Sequence, residues 1–309
     1  MKKIIIDCDP GHDDALALVM AVAAPELDIL AVTTSAGNQT PDKTLNNAMR
    51  MLTLLKQSDI PVAGGNKKPL MQDLIIAENV HGKTGLDGAI LPEPDFAPVN
   101  IPAIQLIAET LGSSIDPVTL VVTGPMTNIA LFLQIYPQLK TKIEQIVFMG
   151  GAMNTGNYTP SSEFNIAVDP ESAKIVINSG IPLVMAGLNL THQAQIYPSE
   201  VENIRRIHNE VARSVVGQLD FYGIYYGQDK LGFKGIPLHD PCTIAWLQHP
   251  EYFEGTDYNV DVEVAGTLTR GETVVDRFNL LNLPQNVHVL TAIKRQEFIQ
   301  LLTDAIASF

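Results

Sequence analysis

Short apolar runs alternate with amphipathic stretches from one end of the chain to the other. Ile4, Ile5 and Ile6 form a β-branched run that predicts a buried strand. Ala15-Leu16-Ala17-Leu18-Val19-Met20-Ala21 follows as strong helix-forming sequence, from about Asp14 to Ala24. Residues 27–34, 60–65, 117–123, 143–149 and 181–187 predict further strands. Helices are expected over 41–56 and 101–111 and from Asp169-Pro170-Glu171, where proline or a capping acid marks the start. Two helices are expected between 199 and 226, a short apolar one over 243–248 and an amphipathic one over 295–306. Residues 258–264, 273–278 and 286–293 alternate as late strands. Residues 67–98, rich in Gly and Pro, predict a long loop of the kind that forms lids or binding surfaces.

Strands alternating with helices throughout predict an α/β fold with a mostly parallel central sheet flanked by helices. No linker, repeat or low-complexity segment divides residues 1–309, so a single domain is expected.

Composition narrows the partners. The 309 residues are 46% hydrophobic and 17% charged, enough for one large α/β domain or two small ones. A net charge of −14, from 34 acids against 20 bases, argues against nucleic acid or an anionic membrane surface. It suits a neutral or cationic small molecule. Two cysteines, Cys8 and Cys242, make no disulfide framework. Asp7 and Asp9 interrupt any signal-like run, and no stretch approaches the roughly 18 apolar residues of a membrane span. A cytoplasmic location is expected.

The candidate chemistry sits where apolar runs end. Asp7, Asp9, Asp13 and Asp14 crowd around Pro10-Gly11, between the first strand and the first helix. Ligands of open α/β sheets bind beyond the carboxyl ends of strands. Helix capping accounts for one acid there, but four like charges need a cation or protonated carboxyls. Hard oxygen ligands suit Ca²⁺ or Mg²⁺ rather than zinc. Asp240, beside His239 at a later helix start, repeats the arrangement, and the carbonyl of Thr123 ends another strand. Asn38 follows the second strand as a turn residue or a ligand. Asn157, Glu163 and Asn165 have the amides and carboxylates that hold sugar hydroxyls, or else serve a surface loop. The aromatics Phe221, Tyr222, Tyr225 and Tyr226 are core or face a base.

The opening Asp7-Cys8-Asp9-Pro10-Gly11-His12-Asp13-Asp14 resembles the signature of the inosine–uridine-preferring nucleoside hydrolase family. Ala36-Gly37-Asn38, Asn79-Val80-His81-Gly82, Thr123-Gly124-Pro125, Met149-Gly150-Gly151, Glu163-Phe164-Asn165 and His239-Asp240 follow in the family's order and cover nearly the whole chain. The resemblance implies an open Rossmann-like fold and hydrolysis of a ribonucleoside to ribose and free base. It implies Ca²⁺ on Asp9, Asp14, Asp240 and the Thr123 carbonyl, with Asp9 also the general base toward the attacking water. Asp7 would support the site. Asp13, Asn38, Asn157, Glu163 and Asn165 would hold the ribose, Met149 would line its pocket, and His81 and His239 would act near the leaving base. A homodimer or homotetramer is implied as well.

The text of Ala36-Gly37-Asn38-Gln39-Thr40 and Gly85-Leu86-Asp87-Gly88 looks most like the bacterial pyrimidine-preferring ribonucleoside hydrolases, so uridine and cytidine lead, with inosine next. Purine-strict relatives are expected to have tryptophan at His81, and the one tryptophan, Trp246, falls in an apolar helix instead. Some pyrimidine relatives have a tyrosine where this chain has Leu231, leaving Tyr222, Tyr225, Tyr226 and Gln228 as candidates for that contact. Two rivals remain. A haloacid-dehalogenase-like phosphatase also places Asp-x-Asp after a first strand, but Pro10 to Asp14 is not its continuation. A non-catalytic nucleoside binder would not need Asp9, Asp14 and Asp240 together.

Overall fold

The computed structural model describes residues 1–227 and 232–309. The apolar runs become β1 (Lys2–Cys8), β2 (Leu27–Thr34), β3 (Val62–Gly64), β4 (Val118–Val122), β5 (Ile143–Met149) and β6 (Leu183–Ala186). Later come β7 (Gln195–Ile196), β8 (Ile236–Pro237), β9 (Phe253–Tyr258), β10 (Val260–Val262), β11 (Thr273–Val275) and β12 (Val287–Ile293). Among the described residues, one sheet has the order β3-β2-β1-β4-β5-β6-β12-β9. Its neighbours are parallel except for β12 and the edge strand β9.

The helices are α1 (His12–Ala23), α2 (Pro41–Leu54), α3 (Glu78–His81), α4 (Ala103–Ser113), α5 (Thr127–Ile135) and α6 (Phe164–Val168). They continue with α7 (Pro170–Ile177), α8 (Leu188–Thr191), α9 (Pro198–Arg205), α10 (Glu210–Tyr226), α11 (Pro241–Gln248) and α12 (Arg295–Ala307).

A strand points successive side chains to opposite faces, so an apolar run in a parallel sheet feeds two cores at once. Ile4, Ile6 and Cys8 of β1 enter one core, with α1, α10, α11 and α12. Ile5 enters the other, with α4, α5 and α7. The same alternation separates Val147 from Ile146 and Phe148, and Val184 from Leu183 and Met185.

The sheet order also sets where a ligand can go. The chain winds from β1 outward to β3, then returns to lay β4 on the other side of β1. That reversal opens a crevice beyond the strand ends. Asp7 is level with Thr33 of β2 and Val122 of β4, so the segments that follow all three strands emerge into it.

Two expectations are corrected, and one short helix is added to those expected. Residues 258–264 are not one strand: β9 ends at Tyr258 on the sheet edge, while β10 pairs antiparallel with β11 away from the sheet. The 67–98 stretch contains a helical turn, α3, which holds His81 in the interior instead of on a mobile loop. A short helix, α6, precedes the one expected at Asp169, because the Glu163 side chain caps it by accepting the N–H groups of Asn165 and Ile166.

Candidate active site

The acidic turn is buried and largely paired. Asp14, in the first turn of α1, accepts the N–H groups of Asp9 (3.2 Å) and Gly11 (3.0 Å), the Asn38 side-chain amide (3.0 Å) and the Thr123 hydroxyl (2.7 Å). Oxygens of Asp13, Asp14 and Asp240 lie within 4.8 Å of one another, a group that could hold a metal ion. Asp9 stands beside this group and is not one of the three. Its Oδ2 accepts the Asn38 N–H at 2.7 Å, and its Oδ1 is buried without a hydrogen-bond partner. Glycines make that room: a Cβ at Gly37 would meet Asp9 Oδ2 at 2.2 Å, and one at Gly124 would meet Oδ1 at 2.6 Å. Asp7 lies beneath, accepting the Thr33 hydroxyl at 2.6 Å and the Asn128 amide at 2.8 Å.

Burial dominates the electrostatics. It pushes the Asp7 carboxyl up to about 7 against the lowering effect of its two donors. Burial and the neighbouring Asp14 charge push Asp13 up to about 8, and raise Asp9 well above the usual carboxylate range. Asp240 is likewise raised by burial, with the Asp13 charge next in effect. Without a cation these carboxyls favour their protonated forms.

One wall of the cavity comes from the β5 end and α6. Glu163 accepts N–H groups from Gly151, Asn165 and Ile166, yet burial still raises it to about 7. The Asn165 amide donates to the carbonyl oxygens of Thr123 (2.7 Å) and Met149 (3.2 Å). The Thr123 carbonyl is therefore already engaged on one lone pair, and the second remains for another partner. Asn157 is exposed at the rim, and its Oδ1 accepts the Phe164 N–H at 2.9 Å. Glu163, Asn165, Met149, Asn157, Asp13 and Asn38 line one cavity of about 350 Å³.

The other wall is aromatic. His81, His239, Tyr222, Tyr225 and Tyr226 face the same cavity. His239 is held between the Thr191 hydroxyl at Nδ1 (2.8 Å) and the Tyr226 hydroxyl at Nε2 (3.0 Å). Burial lowers His239 to about 3 and takes His81 well below its ordinary value, so both rings are neutral. A cavity with carboxylates on one side and neutral imidazoles and phenols on the other suits a polyhydroxylated ring joined to a flat heterocycle.

A family profile described as inosine-uridine preferring nucleoside hydrolase matches residues 4–300. The chain belongs to that family. It is an N-ribohydrolase, cleaving the N-glycosidic bond of ribonucleosides. A relative from Shewanella sp. (strain MR-4), named pyrimidine-specific ribonucleoside hydrolase RihA, is 59% identical over 308 residues, covering 100% of this chain and 97% of its own. A purine-preferring ribonucleoside hydrolase from Gardnerella vaginalis is similar in structure, with a TM-score of 0.93 at 29% identity, covering 99% of this chain and 98% of its own. A plant nucleoside hydrolase, the PpNRh1 enzyme, has a TM-score of 0.93 at 30% identity over 100% of this chain and 99% of its own.

In this nucleoside hydrolase Asp13, Asn38, His81, Thr123, Met149, Asn157, Glu163, Asn165, His239 and Asp240 line the cavity itself, whereas Asp7, Asp9, Asp14 and Phe221 do not. Of the four candidates for the extra aromatic contact, Tyr222, Tyr225 and Tyr226 line it, and Gln228 lies outside the described residues. His192 was missed. It lines the aromatic wall against Phe233 and His239, and burial lowers it to about 4. It caps the C-terminal end of α8, the helical turn that follows β6.

Proposed function

We propose that this hydrolase prefers uridine and cytidine and works with Ca²⁺ held by Asp9, Asp14, Asp240 and the Thr123 carbonyl. The observation that carries the reading is the buried, unpartnered Oδ1 of Asp9 beside three clustered carboxylates. An orphaned anionic oxygen in such surroundings is costly unless a cation compensates it. The donor set is all oxygen, which fits a hard divalent ion. When bound, such an ion supplies Lewis acidity that makes water a better nucleophile at neutral pH.

The chain's own residues divide the work. Asp9, fixed by the Asn38 N–H, takes the proton from the attacking water. Asp13, Glu163, Asn157, Asn165 and Asn38 bind the ribose hydroxyls, with Met149 packing against the ring, and orient the anomeric carbon toward that water. As the C–N bond breaks, positive charge grows on the ribose, and the carboxylates stabilise it. His81 and His239 meet the departing base on the opposite side: His81 donates a hydrogen bond to the negative charge it gains, and His239, bonded to Thr191 and Tyr226, acts there through the Tyr226 hydroxyl. Attack opposite the base inverts the anomeric centre.

Pyrimidine preference rests on the 59% identical relative and on the histidine- and tyrosine-lined wall. Trp246 packs against Phe253 and His288, away from the cavity, so no indole is available to stack a purine. Ribose release from uridine, cytidine, inosine and adenosine, with and without a strong Ca²⁺ chelator, tests both parts. Fast, chelator-sensitive pyrimidine turnover is expected. Equal inosine turnover would make the enzyme a broad inosine–uridine hydrolase, and no release from any nucleoside would refute the reading.

A homo-oligomer belongs to the same proposal. Phe278, Leu280, Leu281 and Leu283 expose large apolar side chains within one short segment, more than a lone surface leaves uncovered. Sedimentation is expected to give a particle larger than 33.6 kDa, reduced by Leu280→Asp. A monomer at micromolar concentration would count against it. No helix among the described residues is long and apolar enough to cross a membrane.

A further inference from the structure

His12, at the centre of the opening motif, takes no part in the chemistry above, yet it is fully buried and touches the His81 turn in three ways. Its Nε2 lies 2.9 Å from the carbonyl oxygen of Asp87. A carbonyl only accepts, so Nε2 of His12 carries the ring proton. Its backbone N–H donates to Nδ1 of His81 at 3.2 Å. A backbone N–H always keeps its hydrogen, so Nδ1 of His81 is a lone pair and the proton of that neutral ring sits on Nε2. The imidazole of His12 also stacks on those of His81 (5.2 Å, 19°) and on the ring of Tyr222 (5.2 Å, 17°).

The surroundings leave His81 little freedom. A Cβ at Gly11 would sit 2.6 Å from its Nδ1, so the ring packs directly on the motif's backbone. Gln39 donates to the Gly82 carbonyl (3.1 Å) and Asn47 to the Thr84 carbonyl (2.9 Å), pinning the turn that follows. The two histidine Nδ1 atoms face each other at 3.1 Å. With both protons on Nε2 they meet as lone pairs, a contact that the stack and the flanking bonds must hold together.

Resting on the reading of His81 as a donor to the base, we propose that His12 is a positioning residue. By bonding Asp87 and bracing His81, it holds the Nε2–H of His81 toward the leaving base. A hydrogen-bond donor misplaced by about 1 Å loses roughly 100-fold in rate. His12 therefore contributes to turnover only when the leaving group needs a hydrogen bond or proton.

The test compares uridine with nitrophenyl riboside, whose leaving phenolate needs no protonation, in wild type, His81→Ala, His12→Ala and His12→Gln. Glutamine can keep the bond to the Asp87 carbonyl with its own amide. His12→Ala is expected to lower kcat for uridine by roughly 10- to 100-fold with KM within about 3-fold, and to leave nitrophenyl riboside nearly unchanged. His12→Gln is expected to restore most of the uridine rate. Equal loss on both substrates would overturn the proposal, since it would place His12 in the fold or the acidic site instead. If His81→Ala shows the substrate split and neither His12 variant does, the proposal fails while the reading of His81 stands. If His81→Ala shows no split, both fall together.

Discussion

Asp9→Asn is expected to lower ribose release from uridine by about 1,000-fold, within the range of a lost general base. Asparagine keeps the shape of the side chain and an oxygen to accept the Asn38 N–H. What it lacks is the charge that takes the water's proton and, in the proposed site, helps hold Ca²⁺, so the comparison is made at saturating Ca²⁺. Ribose contacts lie on other residues, so KM should change little while kcat carries the loss. The metal-free variant should also melt at a higher temperature than metal-free wild type, because burial makes the Asp9 charge unfavourable. Turnover within about tenfold of wild type would exclude Asp9 as the base. Opposite movements of activity and apo stability separate loss of chemistry from loss of fold.

Removing the ion should abolish activity and expose a pH dependence of opposite sense to that of most proteins. Folded-state values near 7 for Asp7 and Glu163 and near 8 for Asp13 exceed the ordinary carboxylate range. Each therefore contributes stability that is fully present below its unfolded value near pH 4 and is lost as pH rises through its folded value. The chelated protein should melt progressively lower between about pH 5 and pH 8. Binding of Ca²⁺ requires the ionised carboxylates, so the rise in melting temperature on adding it should grow over the same window. Calorimetry at both ends, with chelator and with excess Ca²⁺, decides this. An apo protein that gains stability toward pH 8 would mean that the acids are ionised without a cation.

The fold was legible because its central strands are buried on both faces. Runs such as Val118–Val122 and Leu183–Ala186 have no alternation to misread, and Pro41 and Asp169 punctuate the helices between them. The site was legible where several polar residues interrupt an apolar run together, as Asp7, Asp9, Asp13 and Asp14 do. Sequence position could not tell that Asp13, with Asp14 and Asp240, forms the tightest carboxylate group while Asp9 stands beside it. That depends on how α1 and α11 meet, a tertiary fact with no local signature. His192 and His12 went unassigned for a related reason. Lone histidines are usually structural, and only the turn at Asp87 and the ring of His239 show what these two adjoin.

The acidic group has a kinetic consequence. Asp13 and Asp14 sit near the start of the chain and Asp240 near its end, with Thr123 between. The group is complete only once β1 pairs with β4 and α1 packs against α11, contacts between distant parts of the chain that are slow to form. The carboxylate oxygens of Asp13, Asp14 and Asp240 are therefore expected to come together late in folding. An ion bound there is expected to slow unfolding more than it speeds folding, which rates measured with and without Ca²⁺ would check. Such an ion would be a latch on the finished fold, lengthening the lifetime of the native state.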